Sequence, residues 1–363
     1  MNLETMNRFS SRVFGLDAAR AALMLLGLVV HGGSFAATYQ QPTGTLGDNI
    51  GLEVTILTHS FRMPAFFLVS GILAAMLLSK RGAKRFWNQR QRRLLYPLIG
   101  GCLTIIPLTY LALGTSPKDP LDLINNGFMH LWFIYYLLIF SGLLIALELT
   151  LKNWGASIAG TQKRGLGFWL VNPISISLLA VATLALPSWF SGDLEALSQN
   201  SSLLPPLGLI VFYLTFFAFG VMVYRYWSSA EIWLRRFAPL YLLLGAAAFA
   251  NYTIHIWGGD HPLDPRLSYA LSTWMLSLGI VAIFILVFKK QNRVIRYLSD
   301  ASYWVYLVHL PIMIALQRWF ALQNLGFGIS FWTSVPLVFG ISIGLYQWFV
   351  RERFVGKFLA GRL

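Results

Sequence analysis

Ten stretches of the 363-residue chain are apolar over about the 20 residues that a helix needs to cross the hydrocarbon of a bilayer. They run approximately 16–38, 60–79, 94–113, 130–150, 168–190, 203–227, 235–253, 267–288, 303–320 and 329–350. The segments 235–253 and 303–320 are the weakest, because they are short or carry polar groups. Only 12% of the residues are charged and the mean hydropathy is +0.62, so water is not the solvent this chain is built for. Internal repeats, low-complexity tracts and long Pro/Ser linkers are absent from the sequence. These features predict an all-α polytopic membrane protein of about ten transmembrane helices, with residues 1–363 forming a single integral membrane domain.

Charge sets the expected topology. With the N-terminus inside, 24 of the 28 lysines and arginines fall on the inner side. Only Arg62, Lys118, Arg266 and Arg318 fall outside, where 8 of the 14 acids also lie. That bias follows the positive-inside rule and predicts that both termini are cytoplasmic. The formal charge of +14 is spread over six separate inner segments, which excludes a nucleic-acid-binding face and leaves membrane lipid as the expected partner. Arg8, Arg12, the run Ala21 to Val30 and Ser34-Phe35-Ala36 imitate a cleavable signal peptide. The polar residues within that span favour an uncleaved first helix. Cys102 is the sole cysteine and lies in a hydrophobic run, so neither an internal disulfide nor a CxxC site is available.

Polar side chains are costly inside a bilayer, and those that remain are the first candidates for function. The six histidines avoid the inner loops. His31 is expected in the outer half of the first span, His59 and His130 at the outer starts of the second and fourth, His255 and His261 in an outer loop, and His309 inside the ninth. Histidine suits proton transfer near neutral pH, although interhelical hydrogen bonding is the commoner use of a buried one. Arg20 precedes His31 by eleven residues, three helical turns, so both project from one face about 16 Å apart. Arg62, near the level of His31, is placed to hold a carboxylate or a developing oxyanion, or to snorkel at the interface. The histidines lack HxxH or HxxxH spacing, and no metal is expected.

After the second span, Lys80 to Arg93 carries seven cations in fourteen residues, including Arg90-x-x-Arg93 with Arg92 between. Anchoring to anionic headgroups and gripping the phosphates of a nucleotide-like donor both remain open for it.

Five separated motifs occur in order: Leu16-Asp17-Ala18-Ala19-Arg20 with His31, and His59-Ser60-Phe61-Arg62-Met63 with Phe66-Phe67 and Ser70-Gly71; then Arg90-x-x-Arg93, His130-Leu131-Trp132-Phe133, and Tyr306-Leu307-Val308-His309-x-Pro311. Together they resemble the acyltransferase 3 family of membrane acyltransferases, and most closely its glucan-modifying branch. The resemblance implies that His31 is the essential residue, paired with Arg20, and that Arg90 and Arg93 serve the acyl donor. It further implies a bacterial inner-membrane protein that transfers an acyl group, succinyl or acetyl, from cytosolic acyl-CoA to a periplasmic saccharide, with succinyl-CoA as the expected co-substrate and no permanently bound cofactor. The expected roles are then His31 as general base, Arg62 or His130 facing the oxyanion, and Trp132 and Tyr135, with Tyr136, as faces for a sugar beside His130, His309 and His59.

Two rivals remain. Ten spans with a few buried polar residues also describe a transporter for a sugar or acyl compound, but the chain lacks repeated halves and has almost no mid-membrane carboxylates, Glu148 being at a helix end. A polyprenyl-linked glycosyltransferase would use Asp48 and Glu53 of the first outer loop as metal ligands or base.

Overall fold

The computed structural model describes residues 14–116, 127–153, 157–158, 166–190, 203–260, 262–290 and 292–359. The first span is α1 (Phe14–Leu25) continued by α2 (Gly27–Tyr39), with a single interruption at Leu26. It is followed by α3 (Leu46–Arg90), a π turn (Gln91–Leu95) and α4 (Tyr96–Leu113). A 3-10 turn (Met129–Leu131) leads into α5 (Trp132–Asn153), then α6 (Leu166–Val171), α7 (Pro173–Phe190), α8 (Leu207–Arg225) and α9 (Trp227–Ile256). The remainder is α10 (Pro265–Val287), α11 (Arg293–Leu322), α12 (Phe327–Leu345), a second π turn (Tyr346–Val350) and the short α13 (Phe354–Leu359).

Among the described residues, eight helical stretches are long and apolar enough to cross a membrane, and each of the ten expected segments falls on an observed helix. Two physical details reconcile the numbers. Residues 46–113 form one 68-residue stretch, which the chain breaks at Gly82, where φ is 72° and helical geometry is lost. Glycine tolerates that φ without a Cβ clash. The fifth segment is divided at Asn172, whose Oδ1 accepts the N–H of Ile174 at 2.8 Å while Pro173 opens α7.

The two segments that looked weakest are among the longest helices, 30 residues each. Their polar ends lie within the helix: Arg235 pairs with Glu231 one turn earlier at 2.6 Å, and Asn292 caps α11 through the N–H groups of Val294 and Ile295.

Span two also begins earlier than hydropathy indicates. Thr45 and Asp48 form a capping box, so α3 starts at Leu46 and carries Asp48, Glu53 and His59 on a helix rather than on a loop or at a helix start. The Asp48 carboxylate accepts hydrogen bonds from the Thr43 N–H at 2.8 Å, the Thr43 hydroxyl at 2.9 Å, and across the bundle from the Gly328 N–H at 2.8 Å. It therefore ties the start of α3 to the start of α12.

Helices α1, α2, α3, α5 and α11 stand around the interior, and α10 packs along α3 and α1 with α9 outside it. Helix α8 lies close against α3 because Gly71 faces the Phe217 carbonyl and Gly220 faces the Leu68 carbonyl, leaving no room for a side chain at either glycine. Asp48→Ala removes four acceptor contacts at a buried helix start, the Thr45 N–H of the capping box included, and is expected to cost about 1–3 kcal/mol, read as a lower thermal unfolding midpoint in detergent.

Candidate active site

The helices around the interior enclose two cavities set end to end, of about 470 and 410 Å³. Each is lined by residues at helical spacing. The larger takes His31, Ser34, Phe35 and Thr38 from α2, then His59, Arg62, Met63 and Phe66 from α3. His130, Trp132 and Phe133 at the start of α5, and Tyr306, Leu310 and Ile314 of α11, complete its main walls, with Thr109 and Tyr110 from α4. The smaller cavity continues along the same helices with Asp17 and Arg20 of α1, Ser70, Lys80 and Arg81 of α3, Leu137 and Ser141 of α5, and Ser299, Ser302 and Tyr303 of α11. Met24, Phe66 and Phe133 belong to both, and the last two rings meet edge to face at 5.0 Å.

The larger cavity is built around imidazoles. The His31 ring is 5.2 Å from that of His309 and 6.5 Å from that of His130, which are themselves 5.3 Å apart. Pro311 explains how His130 is held. A proline lacks the N–H that would bond the carbonyl four residues earlier, so the Leu307 carbonyl is left without its helical donor. His130 Nε2 fills the vacancy at 3.1 Å. Tyr306 returns the contact by donating its hydroxyl to the His130 carbonyl. His309 Nδ1 lies 2.7 Å from the Tyr306 carbonyl. Carbonyls only accept, so the neutral rings carry their protons on His130 Nε2 and His309 Nδ1. His130 Nδ1 and His309 Nε2 are buried lone pairs with no hydrogen-bond partner among the described residues.

Arg62 is 8% exposed and is the cation of this cavity, which has no carboxylate among its walls. Its Nε makes no hydrogen bond among the described residues. Its Nη1 reaches the open patch above Gly27, 2.6 Å from where a Cβ would stand.

The smaller cavity is electrostatically different. Arg20, Lys80, Arg81, Arg90 and Arg93 line it against the single carboxylate of Asp17. Arg20 Nη2 lies 3.2 Å from the Ser299 hydroxyl and 3.7 Å from Asp17. Arg90 is stacked over the buried Phe86 ring at 4.8 Å, and the Tyr303 hydroxyl donates to the Arg93 carbonyl at 3.0 Å. Such a cavity attracts anions, and fixed guanidinium groups suit phosphate.

Most of the residues singled out in the sequence are brought together here, in two groups. Arg20 lines the basic cavity and His31 the histidine cavity, so one face of the first span serves both. His130 is 5% exposed and faces the other histidines rather than an outer surface. His309 is fully buried directly behind His31 and is not a cavity wall. Trp132 lines the histidine cavity, whereas Tyr135 stacks on Phe128 and Tyr136 is buried against Phe67, so neither presents a face there. Arg92 is exposed on the π turn and does not line the basic cavity, which Arg90 and Arg93 do. His255 is exposed in the last turn of α9, apart from the cluster. Arg8, Arg12, Lys118 and His261 lie outside the described residues.

Asp48 and Glu53 do not converge on either cavity. Asp48 is committed to its cap and to Gly328, and Glu53 accepts the Trp257 indole N–H at 2.6 Å. The walls that sequence reading missed, Ser34, Thr38, Ser299, Ser302, Tyr303 and Tyr306, sit at three- and four-residue steps from one another or from His31. That helical periodicity was the signal for them.

A family model described as an acyltransferase domain matches residues 13–351. The chain is 23% identical to glucans biosynthesis protein C of Escherichia coli K12, covering 93% of this chain and 91% of that protein. The same identity and coverage hold for glucans biosynthesis protein C of Shigella dysenteriae serotype 1 and of Escherichia coli O157:H7. No solved structure matches. With a family model spanning nearly the whole chain, over a bundle of apolar helices that marks a multi-pass membrane protein, this chain belongs to the acyltransferase 3 family of membrane acyltransferases.

Proposed function

We propose that the protein is a transmembrane O-acyltransferase that moves succinyl from acyl-CoA, held in the basic cavity, to a saccharide hydroxyl in the histidine cavity. The observation that carries this reading is the end-to-end arrangement of an anion-attracting cavity and an imidazole-lined one, sharing Met24, Phe66 and Phe133 as their common wall. The positive-inside charge bias supports a reading in which the basic cavity opens to the cytosol and the histidine cavity towards the periplasm of a bacterial inner membrane. The relatives' name, glucans biosynthesis protein C, supports a glucan as the acceptor.

In this scheme the diphosphate of coenzyme A sits among Arg20, Arg90 and Arg93, and its arm brings the thioester past the shared wall to His31. Neutral His31 accepts the proton of a sugar hydroxyl as the oxygen attacks the thioester carbonyl, a contribution typically worth about 10²- to 10⁴-fold. The developing oxyanion faces Arg62. His130 is unsuited to that part, because its N–H is spent on the Leu307 carbonyl. The C–S bond breaks, and the thiolate takes the proton back from the His31 imidazolium, leaving an ester and a thiol. Trp132 offers an aromatic face beside this point for a sugar ring.

His31→Ala is expected to abolish the acyl mass increment on envelope glycans, measured by mass spectrometry against cells carrying the native protein; acylation at the native level sinks the mechanism. Arg90→Ala combined with Arg93→Ala is expected to raise the KM for succinyl-CoA by roughly tenfold or more, since each charge-assisted bond is worth about 1.5–3 kcal/mol. An unchanged KM returns these arginines to headgroup anchoring.

A further inference from the structure

His309 is placed where it touches no substrate yet cannot be idle. Its ring is fully buried, it is absent from the cavity walls, and its Nδ1 proton is fixed on the Tyr306 carbonyl. What remains is the Nε2 lone pair, closed off from the cavity and without a hydrogen-bond partner among the described residues. An unanswered acceptor in a dry interior is costly, so a donor is expected to reach it in the working protein.

The nearest imidazole on the first span supplies a candidate donor. Nε2 lies 3.8 Å from where a Cβ on Gly27 would stand. Gly27 is one helical turn before His31 on the same span, and the Arg62 guanidinium is the nearest group to that position. An N–H···N bond of about 3 Å between two imidazoles puts their centroids roughly 5 Å apart. The His31 and His309 rings are 5.2 Å apart, inclined at 43°. A turn of the His31 side chain therefore aligns them, in keeping with catalytic hydrogen bonds that tighten only on substrate binding.

We propose that His309 is the positioning residue of His31, its Nε2 accepting the ring N–H of His31 so that the other His31 nitrogen presents its lone pair to the cavity. The inference rests on the reading of His31 as general base. A base needs one defined tautomer, and the hydrogen bond at one ring nitrogen decides which nitrogen is left bare. When His31 takes the hydroxyl proton it becomes imidazolium and keeps its N–H on His309, and the hydroxyl oxygen and thioester exchange bonds as above. His309 gains and loses no proton in the cycle. Among the described residues, the other charged or titratable groups of the cavity that His31 lines are Arg62 and His59 of α3, Tyr110 of α4, His130 before α5 and Tyr306 of α11. The Arg62 guanidinium shares the patch above Gly27 and is the competing donor.

Two substitutions of similar size and polarity separate these possibilities. His309→Gln keeps an acceptor at the position of Nε2, whereas His309→Asn reaches only the position of Nδ1. The expected result, with succinyl-CoA and a glucan oligosaccharide in nanodiscs, is kcat about 10- to 100-fold lower for His309→Asn at unchanged KM for both substrates, and restored to within a few-fold by His309→Gln. Ring ¹⁵N shifts of His31 give a readout that needs no turnover. They should report one tautomer in the native protein and in His309→Gln, and a mixture in His309→Asn. Equal losses in both variants with an unmoved His31 tautomer overturn the proposal and leave His309 to packing or to Arg62, as does native kcat in His309→Asn. Retained glycan acylation in His31→Ala instead overturns the function itself, and a single His31 tautomer held by His309 would survive that result.

Discussion

The candidate site depends on a carbonyl that its own helix cannot satisfy. Pro311 removes the donor that would otherwise bond Leu307, and in a membrane interior no water stands ready to replace it. The partner is His130, from a different part of the chain, which thereby acquires a fixed position and a fixed tautomer. Because the Tyr306 hydroxyl also binds the His130 backbone, two contacts lock the start of α5 to the middle of α11. His309, two residues before the proline, takes the adjacent carbonyl. A helix defect, ordinarily a loss of stability, here sets the orientation of two imidazoles around a third.

The same four walls, read along their length, change character within a few turns. Towards one end they carry imidazoles and one guanidinium; towards the other they carry five cations against one acid. The change occurs at Met24, Phe66 and Phe133, an apolar stretch that an ion crosses only at high cost. The arrangement keeps the five cations and the imidazoles in separate compartments. A loop-built site would not impose that order so firmly, since here every wall residue is fixed by a packed helix.

Much of this was legible in one dimension. Ten apolar segments and the Arg20–His31 spacing are properties of composition and helical period, and both survive in the structure as helices and as one shared face. The start of α3 was hidden because Asp48, Asn49 and Glu53 lower the hydropathy of a stretch that is helical nonetheless. Yet Thr45-x-x-Asp48 is itself a capping signature. The choice of Trp132 over Tyr135, and of Arg90 and Arg93 over Arg92, turns on rotation about a helix axis in places where a 3-10 or a π turn shifts the phase. Hydropathy carries no information on that phase.

Gly27 shows why the remainder needed three dimensions. In sequence it is one small residue in an apolar run, with nothing to distinguish it from the glycines that let helices approach. In space it is the point on which α2, α3 and α11 converge, where the Arg62 guanidinium and the His309 lone pair enter the volume that a side chain would fill. His31 stands one helical turn further along α2, its ring 5.2 Å from that of His309. A cation and a buried acceptor from two helices thus meet over an absent Cβ on a third, one turn from His31, and the glycine there sets how closely they approach.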